Sequence, residues 1–142
     1  MIHHLGPGSA LPGWLEALDG QVFEGAWGPL EAHEQAWVLD GLGYARWSLV
    51  PGLDEAELLR IAVAPEARGQ GLGRRLLRKS STVLQQLGVA RLLLEVRVSN
   101  TPARHLYEAE GWQYQGLRKG YYRDGEDAAL YTKDLAQSPL PA

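Results

Sequence analysis

Two periods alternate along the chain and divide it into elements. Leu72, Leu76, Leu77, Val83, Leu84 and Leu87 recur at helical spacing, while Arg74, Arg75, Arg78 and Lys79 fill much of the other side. That stripe predicts a helix over 72–87, and Gly88 stands where a left-handed C-terminal cap belongs. Upstream, Leu59, Ile61 and Val63 alternate with Arg60, Ala62 and Ala64. The alternation predicts a strand over 57–64 with Ile61 and Val63 on one face. Arg91–Val98 reads as a strongly apolar strand. Asn100-Thr101-Pro102 opens a second helix, since Asn caps well and Pro fits the first turn, and Gly111 ends it. Trp112–Leu117 and Ala128–Lys133 read as two strands joined by a loop containing Gly120, Tyr121, Tyr122 and Asp124-Gly125. Ala36–Leu39 and Leu42–Val50 flank Asp40-Gly41, a hairpin signal, and Pro51-Gly52 ends the second run. In the first thirty residues, Gly6, Pro7, Gly8, Pro12 and Gly13 leave only Trp14–Leu18 as a short helix, and no strand is evident.

This order predicts an α/β fold with a mixed central sheet. The strand–helix–strand unit over 57–98 should be a right-handed parallel crossover. The length of 142 residues predicts one domain, and there is no internal repeat. The absence of cysteine excludes a disulfide scaffold, a thiolate metal site and a Cys nucleophile. No apolar run approaches membrane-spanning length. The opening MIHHLGPGSALPGW lacks a basic start followed by an apolar stretch, so the expected location is cytoplasmic.

Charge is unevenly spread. Residues 1–57 carry nine acids and one base, Arg46, whereas 58–142 carry thirteen bases and eight acids. A basic half suits a phosphate-bearing ligand and an acidic half a cationic one. The net charge of −3 argues against a direct nucleic-acid binder.

Between the predicted strand and helix lies Arg68-Gly69-Gln70-Gly71-Leu72-Gly73, followed by Arg74. Glycines there let backbone N–H groups approach a ligand, and a helix N-terminus adds unpaired donors and partial positive charge. A pyrophosphate is the natural guest. The spacing is neither the dinucleotide fingerprint nor a P-loop, because Arg74 stands three residues after Gly71 and no Gly-Lys-Ser/Thr follows. A glycine-rich helix cap without a ligand is the structural alternative.

Arg68, Gly71 and Gly73 fit R/Q-x-x-G-x-G/A, which resembles the pyrophosphate motif of the GNAT superfamily of N-acetyltransferases. The flanking Leu59–Pro65, Leu94–Asn100, Leu106-Tyr107-Glu108, Glu110-Gly111-Trp112 and Gly120-Tyr121-Tyr122 look like its RimI branch, the ribosomal-protein-alanine N-acetyltransferases. The resemblance covers 57–135, leaving 1–56 as a poorly matched, acceptor-facing front and 136–142 as a tail of a single domain, 1–142. It implies the GNAT fold, with a strand–helix–strand core that binds acetyl-CoA, and acetyl transfer to the N-terminal α-amine of a protein. The implied acceptor is the basic N-terminus of a ribosomal protein. No metal, membrane or nucleic acid is implied.

The resemblance also distributes roles. Backbone N–H groups of Ile61, Ala62 and Val63 would meet the acyl oxygen and pantetheine arm. Arg68, Gly69, Gln70, Gly71, Leu72, Gly73 and Arg74 would hold the pyrophosphate, with Asn100 also at the cofactor. Glu95 falls at the position of the proposed base. Its setting in Leu92-Leu93-Leu94-Glu95-Val96 is costly unless the carboxylate finds partners or its pKa rises. The alternative is a strand whose Glu95 and Arg97 share a solvated side. Tyr107 matches the tyrosine that protonates the departing thiolate, and otherwise is a half-buried helix residue. Tyr121 and Tyr122 border the acceptor channel, or one packs while the other is exposed. Trp14, Trp27, Trp37, Trp47 and Trp112 are expected in the core. His3, His4, His33 and His105 show no metal-ligand spacing.

An α-amine, with pKa about 7.7–8.0, is roughly a quarter to a third neutral near pH 7.5, whereas lysine, about 10.4, is only about 0.1% neutral. A single carboxylate therefore suits the α-amine better. A lysine side chain or small-molecule amine remains open as acceptor, as does a CoA-binding module without turnover.

Overall fold

In a computed structural model, residues 1–23, 28–49 and 54–135 are described. Among them, seven strands form one sheet: β1 (Ile2–Leu5), β2 (Glu34–Leu39), β3 (Gly43–Leu49), β4 (Glu55–Val63), β5 (Arg91–Arg97), β6 (Gln113–Arg118) and β7 (Ala128–Asp134). Helices α1 (Gly13–Val22), α2 (Leu72–Gln86) and α3 (Thr101–Ala109) connect them. The strand order is β1-β2-β3-β4-β5-β7-β6, and only β4 and β5 run parallel, joined through α2.

The expected mixed sheet, hairpin and strand–helix–strand unit are present. Gly88, at φ +96, follows α2 as anticipated. The expectation of no strand in the front segment fails. β1 exists because Ile2–Leu5 pairs along its length with Leu39–Ala36, and four residues without alternation leave no local signal of it. Trp37, Trp47 and Trp112 are buried, and Trp14 packs against the core from a partly buried position. Trp27, Pro51-Gly52 and the tail 136–142 lie outside the described residues.

Strand alternation assigns the helices to faces. Tyr44 donates a hydrogen bond to Asp19 of α1. A Cβ on the adjacent Gly43 would stand 3.2 Å from Leu76 of α2. Neighbouring strand residues point to opposite faces, so α1 and α2 cover opposite sides. α3 shares the α2 side, since both Leu106 and Val63 lie within 4 Å of a Cβ built on Gly73.

One irregularity in β4 shapes the site. Trp47 pairs with Leu58 but Arg46 pairs with Arg60, so Leu59 is an extra residue on β4. Such a bulge bends its strand and reverses the facing of the residues beyond it. Before it, Leu58 shares the α2 side with Trp47; after it, Ile61 shares that side with Ala45. The simple alternation expected from Leu59 onward therefore holds for Ile61 and Val63 but not for Leu59.

The front is anchored by a buried ion pair. Arg46 Nη2 lies 2.7 Å from Glu34 Oε1, with side chains 3% and 4% exposed. Arg46 also donates to the carbonyls of Gly28 and Pro29. Burial opposes ionisation of Glu34, but the Arg46 hydrogen bond, the Glu31 N–H and the Arg46 charge outweigh it and hold the carboxyl below its usual range. A depressed carboxyl stabilises the fold above its unfolded pKa, and that stabilisation is lost as pH falls through the folded value. Arg46→Met should cost about 3–5 kcal/mol in chemical denaturation, because Glu34 is left buried and charged without its ion-pair partner. Adding Glu34→Gln should recover part of the loss.

Candidate functional site

β4 and β5 begin as a parallel pair and then separate. Their pairing stops at Leu58↔Leu94, although β4 continues to Val63 and β5 to Arg97. The bulge at Leu59 sits where they part. Ala64 N–H donates to Leu42 O, so by alternation the backbone groups of Ala62 face β3. Those of Ile61 and Val63 face the opening instead. Of the three expected donors, Ile61 and Val63 are therefore aimed at the gap, and Ala62 is not.

A cleft of about 760 Å³ passes through this opening. Val22 and Phe23 line its α1 side, and Asn100, Ala103 and Tyr107 line its α3 side. Glu57, Glu95, Arg97, Tyr121, Tyr122 and Arg123 complete the wall. Asp19 fixes the α1 side through Arg60, whose Nη1 lies 2.5 Å from Asp19 Oδ2 and whose guanidinium sits 4.6 Å over the Phe23 ring.

Register places Glu57 and Glu95 on the α1 face. Glu57 pairs with Leu93, and Glu95 follows two residues later. Glu95 is 19% exposed and Arg118 Nη1 lies 2.8 Å from its Oε1. Its Oε2 is buried without a hydrogen bond of good geometry. The cost of this carboxylate is thus met by a partner, and the side it shares with Arg97 is the cleft rather than open solvent. The Tyr121 hydroxyl is pushed up to about 12 by hydrogen bonding to Glu95, then by burial and the charges of Glu95 and Glu57. The Tyr121 and Tyr122 rings meet edge to face at 5.0 Å, with Tyr121 exposed and Tyr122 half-buried.

On the α3 face, Tyr107 is 5% exposed and packs against Trp112 and Tyr131. Burial pushes its hydroxyl well above the usual range, so it stays protonated throughout the neutral range. Asn100 caps α3 by accepting from Ala103 N–H at 3.3 Å, and also lines the cleft. The glycine turn expected to bind an anion precedes α2. Gly69 (φ +81) and Gly71 (φ +76) are left-handed, and no side chain caps the helix. Conformation, not crowding, requires these two glycines, since a Cβ at either would meet nothing within 4 Å. Arg68 Nε donates to Val63 O at 3.1 Å, tying the turn to β4. Gln70 is exposed, and Leu72 is buried so that only its backbone is available. Arg74 is half exposed, 3.6 Å from Glu110.

Glu57 in the cleft wall and Arg118, which bonds the cleft's Glu95, carry no functional signal in the sequence. Glu57 appears there only as a charge; in the fold, burial and then the Glu95 charge raise its pKa, against the opposing effect of Arg118. Arg118 sits on β6, remote in sequence from Glu95. The consecutive Leu58-Leu59, which break the alternation, are the one local sign of the bulge that aims Glu57. The front acids contribute less to the cleft than their number suggests, because Asp19 and Glu34 are held in ion pairs.

Residues 14–112 match the model of the acetyltransferase (GNAT) family. The Escherichia coli K12 ribosomal protein bS18-alanine N-acetyltransferase is 48% identical over 80 residues, 55% of this chain and 54% of that protein. The chain thus spans about half the length of the curated relatives it matches. The crystal structure of the Escherichia coli ribosomal-protein-S18-alanine N-acetyltransferase superposes with TM-score 0.77 at 30% identity, covering 100% of this chain and 99% of that one. Ard1 of Thermoplasma volcanium, 18% identical, shares the fold at TM-score 0.77 over 96% and 97% of the two chains. With the glycine turn before α2, the splayed strands and this match over most of its length, the chain belongs to the GNAT family of acetyltransferases.

Proposed function

We propose that this protein transfers the acetyl group of acetyl-CoA to the N-terminal α-amine of a protein, a ribosomal protein in the cytoplasm. The observation that carries the reading is the cleft through the β4–β5 opening, which has Glu95 on one face of the sheet and Tyr107 on the other. Two substrates can then approach from opposite sides and meet between the strands. Similarity to the ribosomal-protein-alanine acetyltransferases supports the choice of acceptor.

Acetyl-CoA supplies an activated acetyl group as its thioester. The turn from Arg68 to Arg74 binds the pyrophosphate through backbone N–H groups and the N-terminus of α2. Ile61 and Val63 N–H groups donate to the acyl oxygen, where negative charge builds as the amine attacks. Asn100 holds the α3 side of the cofactor while capping its helix. From the α1 face, Tyr121 and Tyr122 hold the acceptor backbone, and Glu95 Oε2 receives the proton leaving the amine. Tyr107 donates a hydrogen bond toward the departing sulfur. Its raised pKa makes full proton transfer to a thiolate of pKa about 8.5 uphill, so it acts chiefly by orienting that sulfur.

Glu95→Gln should lower kcat by roughly 10²–10⁴ with acetyl-CoA affinity little changed, read by turnover and calorimetry. Tyr107→Phe should lower kcat no more than Glu95→Gln does, and a far larger loss would make it the principal proton carrier. Gly71→Val forces a β-branched residue into the left-handed region, at about 1–3 kcal/mol, and should abolish acetyl-CoA binding by calorimetry while the protein stays folded. The acceptor reading is tested by mass spectrometry on a basic peptide beginning with Ala, its N-terminally blocked twin and a neutral peptide. Acetylation of the free N-terminus is expected. Equal acetylation of lysines in the blocked peptide would overturn it in favour of a side-chain or small-molecule amine.

A further inference from the structure

We propose that Arg118 is a positioning residue for the reaction: it holds one oxygen of Glu95 and thereby leaves the other aimed into the cleft as the proton acceptor. The inference rests on the reading of Glu95 given above. Arg118 Nη1 occupies Oε1 at 2.8 Å, while Oε2 is buried without a hydrogen bond of good geometry. One oxygen is fixed by an ion pair and its twin is not, and the Tyr121 hydroxyl also bonds the carboxylate.

Reach and geometry explain why arginine stands there. Arg118 pairs with Ala128 on β7, whereas Glu95 pairs with Leu130, so the guanidinium crosses β7 to reach the carboxylate. Its other contact is the Tyr121 ring, 4.9 Å away. A planar, delocalised cation can stack on a ring and bind a carboxylate together; an ammonium cannot do both equally well. Arg118 therefore links the proton acceptor to the loop that receives the acceptor chain.

Charge adds a second task. Glu57 on β4 faces the same cleft as Glu95, and burial and then the Glu95 charge oppose its ionisation, against the effect of Arg118. The remaining charged or titratable groups on this wall are Arg60 of β4, Arg97 of β5, and Tyr121, Tyr122 and Arg123 of the loop. Arg60 bonds to Asp19, and Arg97 to Asp124 and Glu126. Arg118 alone forms a direct ion pair with Glu95 among the described residues. Its charge thus stands directly beside the carboxylate that takes the proton. As the nitrogen–carbon bond forms and the acyl carbon–sulfur bond breaks, its electron pair leaving with the CoA sulfur, the amine proton arrives on Oε2, the N–H electron pair stays on nitrogen, and Oε1 keeps its guanidinium.

The test compares wild type, Arg118→Gln, Arg118→Lys and Glu95→Gln in acetyl-CoA turnover with a peptide beginning with Ala. kcat and KM are followed from about pH 5.5 to about pH 9, with acetyl-CoA affinity measured separately. Arg118→Gln should lower kcat about tenfold at neutral pH and leave acetyl-CoA affinity unchanged. The acid limb of its kcat profile should move up by about 0.5–1 pH unit, since removing a partly exposed cation favours the protonated carboxyl. Arg118→Lys should return that limb toward wild type. A wild-type profile for Arg118→Gln, or a loss of kcat without movement of the limb, overturns the proposal while leaving Glu95 as the base. Wild-type turnover in Glu95→Gln removes the underlying reading and this inference with it.

Discussion

At Leu59, β4 carries one more residue than β3 can pair, and the rest of the site depends on how that residue is accommodated. Without it, β4 and β5 could remain hydrogen-bonded along their length, and the sheet would be closed. With it, the strand bends and its parallel pairing with β5 ends at Leu58↔Leu94. Backbone donors that a regular sheet would consume at Ile61 and Val63 are left facing a gap. The same residue reverses which side chains meet which helix. Leu58 and Ile61 thus pack toward α2, while Glu57 and Arg60 face α1.

The gap divides the chemistry between two faces. The α2–α3 side holds the glycine turn before α2, Asn100 and Tyr107; the α1 side holds Glu57, Glu95, Arg118, Tyr121 and Tyr122. In the proposed function, two ligands approach from these two faces and meet at the gap. Each face is braced by its own contacts. Asp19 ties α1 to Arg60 and Tyr44, and Arg97 ties the Tyr121-Tyr122 loop to β5 through Asp124 and Glu126. Arg97 also lies 4.2 Å over the Tyr122 ring, so the loop's position is set by β5 itself.

The elements with strong periods were legible in the sequence. The stripe of α2, the Asp40-Gly41 hairpin and the caps at Asn100 and Gly88 each rest on local chemistry and appear as expected. The motif from Arg68 to Arg74 was legible for the same reason, since its glycines serve a backbone conformation confined to seven residues. β1 was not, because its existence depends on pairing with β2 rather than on any pattern within Ile2–Leu5. Arg118 was equally hidden: its partner lies 23 residues away and across an intervening strand. Glu57 could be counted but not placed, since its direction depends on a bulge that alternation alone does not resolve. What the chain encodes locally it displays; what arises from register appears only when the strands are paired.

The central claim is that the opening between β4 and β5, with its two freed backbone donors, receives the acyl group. It is tested most directly by following the backbone amides of isotope-labelled protein by NMR as acetyl-CoA is added. The account predicts that Ile61 and Val63 shift together with Gly69–Arg74, while Ala62, whose backbone groups face β3, moves much less. Binding that moves the turn at Gly69–Arg74 but leaves Ile61 and Val63 unchanged would contradict it.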